Sequence, residues 1–244
     1  MAGKEDSSQV EREQLVETIF SNTAKTYDHV VDVFTLGMDR LWKRNIMKFL
    51  KGARMDFQRI LDLACGTGII TFKLAKMFPS AQIVGIDIME EYLDIARQKQ
   101  KGENVRFIQL GAEDLDELER LGYTRWFDLI VTSYLPKYVD LEKVISHCNK
   151  LIQKDGTIIF HDFTIPKNRI LRFGWHIYLI GMNPILKTVN GWLEASKKLK
   201  NVIKDSRWIY DLPKIFEEHG FQNIEVRWQP LQIAAIVTGK KNNQ

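Results

Sequence analysis

The sequence predicts an α/β fold: a doubly wound, mostly parallel sheet of seven strands, one of them antiparallel at an edge, with helices on both faces. Three observations carry this. Short apolar runs alternate with helical patterns from about residue 59 onward, and strands separated by helices pair in parallel through right-handed crossovers. The first run, "RILDLA", is followed at once by Gly66 and Gly68 and then by a helical stretch. The last two runs, "QNIEVRW" and "LQIAAIVTG", are joined only by Gln229 and Pro230. That link is too short for a crossover, so these strands pair antiparallel and leave one reversed strand at the far edge.

In order along the chain, "RILDLA" is a buried strand and "IITFKLAKMF" a helix ended by Pro79. "QIVGIDI", "VRFIQLG", "FDLIVTSYL" and "GTIIFHDFT" are further strands. The helices "EEYLDIARQKQK", "DLDELERLG" and "LEKVISHCNKLIQ" separate them, and "DLPKIFEEHG" precedes the final strand pair. Residues 1–52 read as an N-terminal helical lid and 53–164 as a cofactor-binding core. Residues 165–208 form a helical cap, and 209–244 supply the last helix and strand pair. The opening "MAGKEDSSQVEREQ" is polar, lacks the apolar core of a secretory signal and reads as a frayed start.

Composition narrows the classes. The chain has 244 residues, 45% hydrophobic and 27% charged, ordinary for a globular protein with a sizeable core. No stretch approaches the roughly 20 apolar residues that span a bilayer. Two cysteines, Cys65 and Cys148, cannot build a disulfide framework or a zinc site, so no metal and a reducing cytoplasm are expected. A net charge of +4 permits contact with anionic surfaces without calling for nucleic acid.

A strand, a Gly-x-Gly turn and a helix place backbone N–H groups and a helix N-terminus against a ligand. The third glycine of the dinucleotide fingerprint is missing from "CGTGIIT", which disfavours a pyrophosphate and with it a dehydrogenase. Asp62 lies inside the apolar strand, where a carboxylate is costly without a cationic partner. Asp87 ends the next strand about 20 residues on, where a carboxylate accepts both ribose hydroxyls. A ligand with a ribose, an ammonium and no phosphates satisfies all three, and S-adenosylmethionine is that ligand. Close approach of the backbone to it, more than folding, is the expected reason for Gly66 and Gly68.

At this point the chain resembles the class I methyltransferases, with their Rossmann-like sheet, and among them the ubiquinone/menaquinone biosynthesis C-methyltransferase family. "IFSNTAKTYDHVVDVFTLGMDRLWKR" resembles that family's entry segment. "GIDIMEEYLDIAR", "AEDL", "FDLIVTS" and "HDFTIPKN" stand at its further motif positions, and "HGFQNIEVRWQPLQIAAIVTGKK" is similar to its tail. The resemblance implies that Asp62, Ala64 and Cys65 to Gly68 line the methionine end of the cofactor, and that Asp87 holds the ribose. It places Ile88 and Met89 on the adenine face and Ala112, Glu113 and Asp114 by the adenine edge. Ser133 would sit under the sulfonium, and Tyr27 would cover the cofactor as part of the lid. Where the family usually has "FGxRN" this chain has "YLPKY", so Lys137 stands for an arginine and Tyr138 for an asparagine.

Carbon methylation of a ring requires a neighbouring phenol to lose its proton. The candidates for this chemistry at the strand ends are His161, Asp162, Tyr134 and Lys137. His161 is the expected base and Lys137 a cation for the phenolate, with His29 a further lid candidate. The cap carries Trp175, Tyr178 and Trp192 beside Arg169, Arg172, Lys197 and Lys198. Such a surface suits a lipophilic acceptor with an isoprenoid tail or peripheral membrane contact, the alternative being a helical cap with an ordinary packed face; a homodimer partner is a separate expectation. Two other readings remain open: an N- or O-methyltransferase of another small molecule or phospholipid head group, and a non-catalytic cofactor-binding subunit.

Overall fold

A computed structural model of the protein describes residues 2–21, 23–52, 56–189 and 192–242. Three helices come first: α1 (Ala2–Phe20), α2 (Ala24–Phe34) and α3 (Met38–Gly52). The alternating core follows as β1 (Arg59–Leu63), α4 (Ile69–Met77), β2 (Gln82–Asp87), α5 (Glu90–Lys99), β3 (Val105–Gln109), α6 (Asp116–Arg120), β4 (Phe127–Ser133), α7 (Leu141–Leu151) and β5 (Ile152–Phe163). The cap helices α8 (Arg169–Leu186) and α9 (Trp192–Asp205) lead into α10 (Trp208–Glu218), β6 (Phe221–Trp228) and β7 (Ala234–Lys241).

One seven-stranded sheet has the order β3-β2-β1-β4-β5-β7-β6. Strands β1 to β5 pair in parallel, and β7 runs antiparallel to both β5 and β6. The reversed strand is therefore one place in from the edge, and β6 is outermost. The link between them is also longer than two residues, because Pro230–Gln232 form a 3-10 turn before β7 starts. The sheet changes winding direction between β1 and β4, so the carboxyl ends of those two strands form the crevice where such sheets bind ligands.

Alternation along the strands gives the sheet two cores. Leu61, Leu63, Val84, Ile86, Ile130 and Phe160 face one side; Ile60, Ile83, Leu129, Val131 and Ile159 face the other, packed on Ile46 and Leu50 of α3 and Leu74 of α4. A third cluster joins lid and cap: Ile19, Val30, Tyr138, Met182, Leu186, Trp192 and Ala195. The N-terminus departs from the frayed start expected for it. It is helical from Ala2, and Gln9 and Arg12 dock onto the acids that follow β3. The expected boundary between lid and core falls at residues 53–55, outside the described residues.

Candidate functional site

After β1 the chain turns through three left-handed residues, Ala64 (φ 53°), Gly66 (φ 56°) and Gly68 (φ 81°). A Cβ on Gly68 would lie 2.6 Å from the Phe72 ring at the start of α4, so local packing already favours glycine there. At Gly66, with nothing nearer than 3.8 Å to such a Cβ, it is the left-handed φ that favours glycine. Its N–H donates to Asp87 Oδ2 at 2.8 Å, and the Met89 N–H donates to Oδ1 at 2.9 Å. Each carboxylate oxygen keeps further acceptor capacity, and Asp87 itself lines the cavity above the turn. Burial pushes its pKa up to about 6.

This cavity lies at the β1–β4 crevice. Ile88, Met89 and Leu110 give it apolar walls, and Ala64, Ala112 and Ser133 lie on its floor and edges. Helix α1 closes one side. Arg12 there grips Glu113 through both nitrogens, at 2.7 and 2.6 Å, and Glu113 also accepts the Asp140 N–H. Glu113 thus lines the cavity while its carboxylate is spent on fixing α1. Asp114 accepts from Gln9 at 2.9 Å and is not in the lining.

Two smaller chambers adjoin it. The first holds Asp62, Cys65, Gly66 and Lys43. Asp62 is raised to about 7 by burial, opposed by the Thr71 hydroxyl that donates to it at 2.6 Å. Burial also raises the Cys65 thiol well above its ordinary value. The second chamber is almost wholly apolar, walled by Val31, Phe34, Leu186, Trp192 and Leu199 of lid and cap, with Lys137 at its base. The Tyr27 ring is a wall of all three spaces, as is Tyr134. Tyr138 stands between the main cavity and the apolar chamber, and its buried hydroxyl has no hydrogen-bond partner among the described residues.

The four residues expected to act chemically are placed unequally. Lys137 pairs with Asp162 at 2.5 Å, both side chains all but inaccessible. Burial lowers the lysine's pKa and raises the aspartate's, and the pairing opposes both shifts. Asp162 has no face on the chambers; it anchors Lys137. His161 is also enclosed, with Nδ1 and the Ser133 hydroxyl 2.8 Å apart. Burial brings its pKa down to about 3, so the neutral ring sits behind Ser133, enclosed from solvent. Tyr134 does line the chambers. It has φ 74°, a strained value for a bulky residue, and its hydroxyl donates to Asp39 at 2.6 Å. Lys43 in turn meets both Asp39 oxygens at 2.7 Å.

Sequence reading missed Asp39, Lys43 and Arg12. The first two had a signal: an acid and a lysine four apart in "MDRLWKR", flanking a tryptophan that turns out fully buried. Arg12 had none, since its partner lies 101 residues away. Among the described residues no group of three or more His, Cys, Asp or Glu side chains is arranged to hold a metal ion.

Comparison with known proteins bears on the family and the fold. The ubiE/COQ5 methyltransferase family matches residues 8–241. The demethylmenaquinone methyltransferase of Lactobacillus johnsonii is 29% identical over 94% of this chain and 93% of its own length. The ubiquinone/menaquinone biosynthesis C-methyltransferase UbiE of Geobacter sulfurreducens is 24% identical over 95% and 90%. Among solved structures, the plantazolicin methyltransferase BpumL superposes over all of both chains with a TM-score of 0.65 at 14% identity. A methyltransferase from Archaeoglobus fulgidus gives 0.61 at 16% identity, over 88% of this chain and 99% of its own. At those identities the structural likeness speaks for the fold.

Proposed function

The chain belongs to the ubiE/COQ5 methyltransferase family, and from that premise we propose that it moves the methyl group of S-adenosylmethionine to a ring carbon of a prenylated quinol. The observation that carries this is the junction at Tyr27, Tyr134 and Tyr138, where a cavity with a ribose-type acceptor at Asp87 meets a closed apolar chamber. The residues present suit the cofactor. Asp87 accepts the ribose hydroxyls, and Ile88, Met89 and Leu110 sandwich an adenine. The chamber with Asp62 and Lys43 offers opposite charges to an amino-acid end. When bound, the cofactor supplies an electrophilic methyl group on a sulfonium.

The protein's own share is positioning and proton handling. Asp39 holds the Tyr134 hydrogen, which leaves a lone pair of the Tyr134 oxygen free to accept a proton from the acceptor's hydroxyl. As that proton arrives, Tyr134 passes its own to Asp39, whose charge Lys43 balances. Lys137 at the chamber base favours the resulting phenolate as a cation, and the Tyr138 hydroxyl donates to an acceptor oxygen. This assigns the base role to the Tyr134–Asp39 pair in place of His161. The lid and the cap, α8 and α9, cover the apolar tail. No helix among the described residues is long and apolar enough to cross a membrane. Calorimetric titration of a prenylated hydroquinone into protein saturated with S-adenosylhomocysteine tests the reading. Saturable binding is expected, and its absence alongside normal cofactor binding would contradict the assignment of the apolar chamber.

A further inference from the structure

Helix α8 has two apolar faces, and the fold uses one. Leu179, Met182 and Leu186 point inward and are buried, the latter two in the lid–cap core. On the opposite side Ile170, Phe173, Ile177 and Ile180 are 80, 67, 55 and 63% exposed. Their spacing of three, four and three residues sets them in a single stripe along the helix. Four large side chains in a row, each more than half in water, exceed the scatter of single exposed apolar residues on an ordinary surface.

The charge around the stripe says what covers it. Residues 165–208 hold nine lysines and arginines against two acids, a net +7. The whole chain is +4, so everything outside this segment sums to −3. The positive charge of the molecule is concentrated in the cap. Arg169 and Arg172, both exposed, border the stripe at the start of α8. A second copy of the chain meeting this face about a two-fold axis would set +7 beside +7. A row of bulky aliphatic and aromatic side chains, with two arginines at its start and a strongly basic cap around it, fits instead the interface of an anionic bilayer, with the apolar groups at acyl depth.

We propose that the outer face of α8 is a membrane-docking surface that lies in the interface of anionic lipid. The inference rests on the quinol reading only for its purpose: the same helix that carries the stripe walls the acceptor chamber through Leu186. Docking there brings the chamber against the layer in which a prenylated ring is dissolved.

Flotation with vesicles of phosphatidylcholine, with and without phosphatidylglycerol, tests it. The protein should float with the anionic vesicles at least about tenfold better than with neutral ones. The Phe173→Ser/Ile177→Ser variant should lose about tenfold or more of that binding. Its melting temperature and its cofactor affinity should not change, because both side chains are exposed and outside the site. Undiminished flotation of the variant would overturn the proposal. So would a dimer in sedimentation velocity that these substitutions dissociate while neither protein floats. Normal flotation with no methylation of any prenylated quinol would leave the docking surface standing and remove the quinol reading.

Discussion

The Thr67 hydroxyl of the glycine turn donates to Asp28 of the lid at 2.6 Å. Lys99 of α5 donates to the other Asp28 oxygen at 2.7 Å, so one carboxylate ties α2 to both the turn and the helix after β2. Asp28 follows Tyr27, whose ring walls all three chambers, so the latch sets where that ring stands. The Lys99 pair is half-exposed and contributes little by itself; the hydroxyl bond is the larger part, on the order of 1 kcal/mol. Asp28→Ala should therefore weaken S-adenosylhomocysteine binding by about three- to tenfold in calorimetry while thermal stability drops only slightly. Unchanged affinity would mean that the lid is held by its apolar contacts alone.

Lys137 and Asp162 form the most enclosed ion pair among the described residues. Removing one partner strands the other's charge in the core, which typically costs about 3–5 kcal/mol, whereas replacing both is far milder. Lys137→Met should lower the urea midpoint strongly, and Lys137→Met/Asp162→Asn should recover most of the loss without recovering turnover. A single variant as stable as the parent would show that Asp162 takes up a proton at no cost.

The Tyr138 hydroxyl is buried without a hydrogen-bond partner among the described residues. Tyr138→Phe should leave stability unchanged or slightly raised, since no bond is lost and a desolvated group is removed. If that hydroxyl donates to the acceptor, turnover should fall about tenfold with cofactor affinity intact. Equal turnover would take Tyr138 out of the acceptor contact.

Cofactor affinity should depend on pH through Asp87. Its folded-state pKa is raised to about 6 by burial, so below that value the group holds a proton and loses one acceptor position. Affinity should be level above about pH 7 and fall as pH drops through 6, by at most about tenfold per unit. Asp62, raised to about 7 by burial with Asp87 adding like-charge repulsion, broadens the window upward. The Asp87→Asn variant should bind more weakly and lose the lower part of this dependence. A wild-type profile flat from pH 8 to 5 would contradict the ribose role.

The sheet was legible because its signals are local: an apolar run of four to seven residues followed by a helical pattern identifies each unit without reference to distant chain. The strand pair at the C-terminus shows the limit. Antiparallel pairing follows from the short link between β6 and β7, but which of them meets β5 depends on packing across the sheet, and β7 does so through seven paired positions from Thr157 to Phe163. Glycines behave similarly. Their presence marks a turn, yet only coordinates separate Gly66, whose N–H faces Asp87, from Gly68, confined by Phe72. Of the site, the residues at strand ends were readable, since strand ends are where ligands bind in such sheets. Of the lid, Tyr27 was expected from the resemblance, but its polar ties were not. Arg12 and Asp39 act through partners 101 and 95 positions away, and neither spacing nor periodicity carries that information. His161 shows the same limit: burial lowers its proton affinity, and burial is a tertiary property that a sequence does not display.

The most direct test of methyl transfer to a quinol ring is mass spectrometry of the product formed from methyl-deuterated S-adenosylmethionine and a prenylated hydroquinone. One labelled methyl group bonded to a ring carbon is expected, with its formation lost in Tyr134→Phe at unchanged cofactor affinity. Label on a hydroxyl oxygen, or label found only on an amine head group supplied in the same mixture, would contradict the quinol reading.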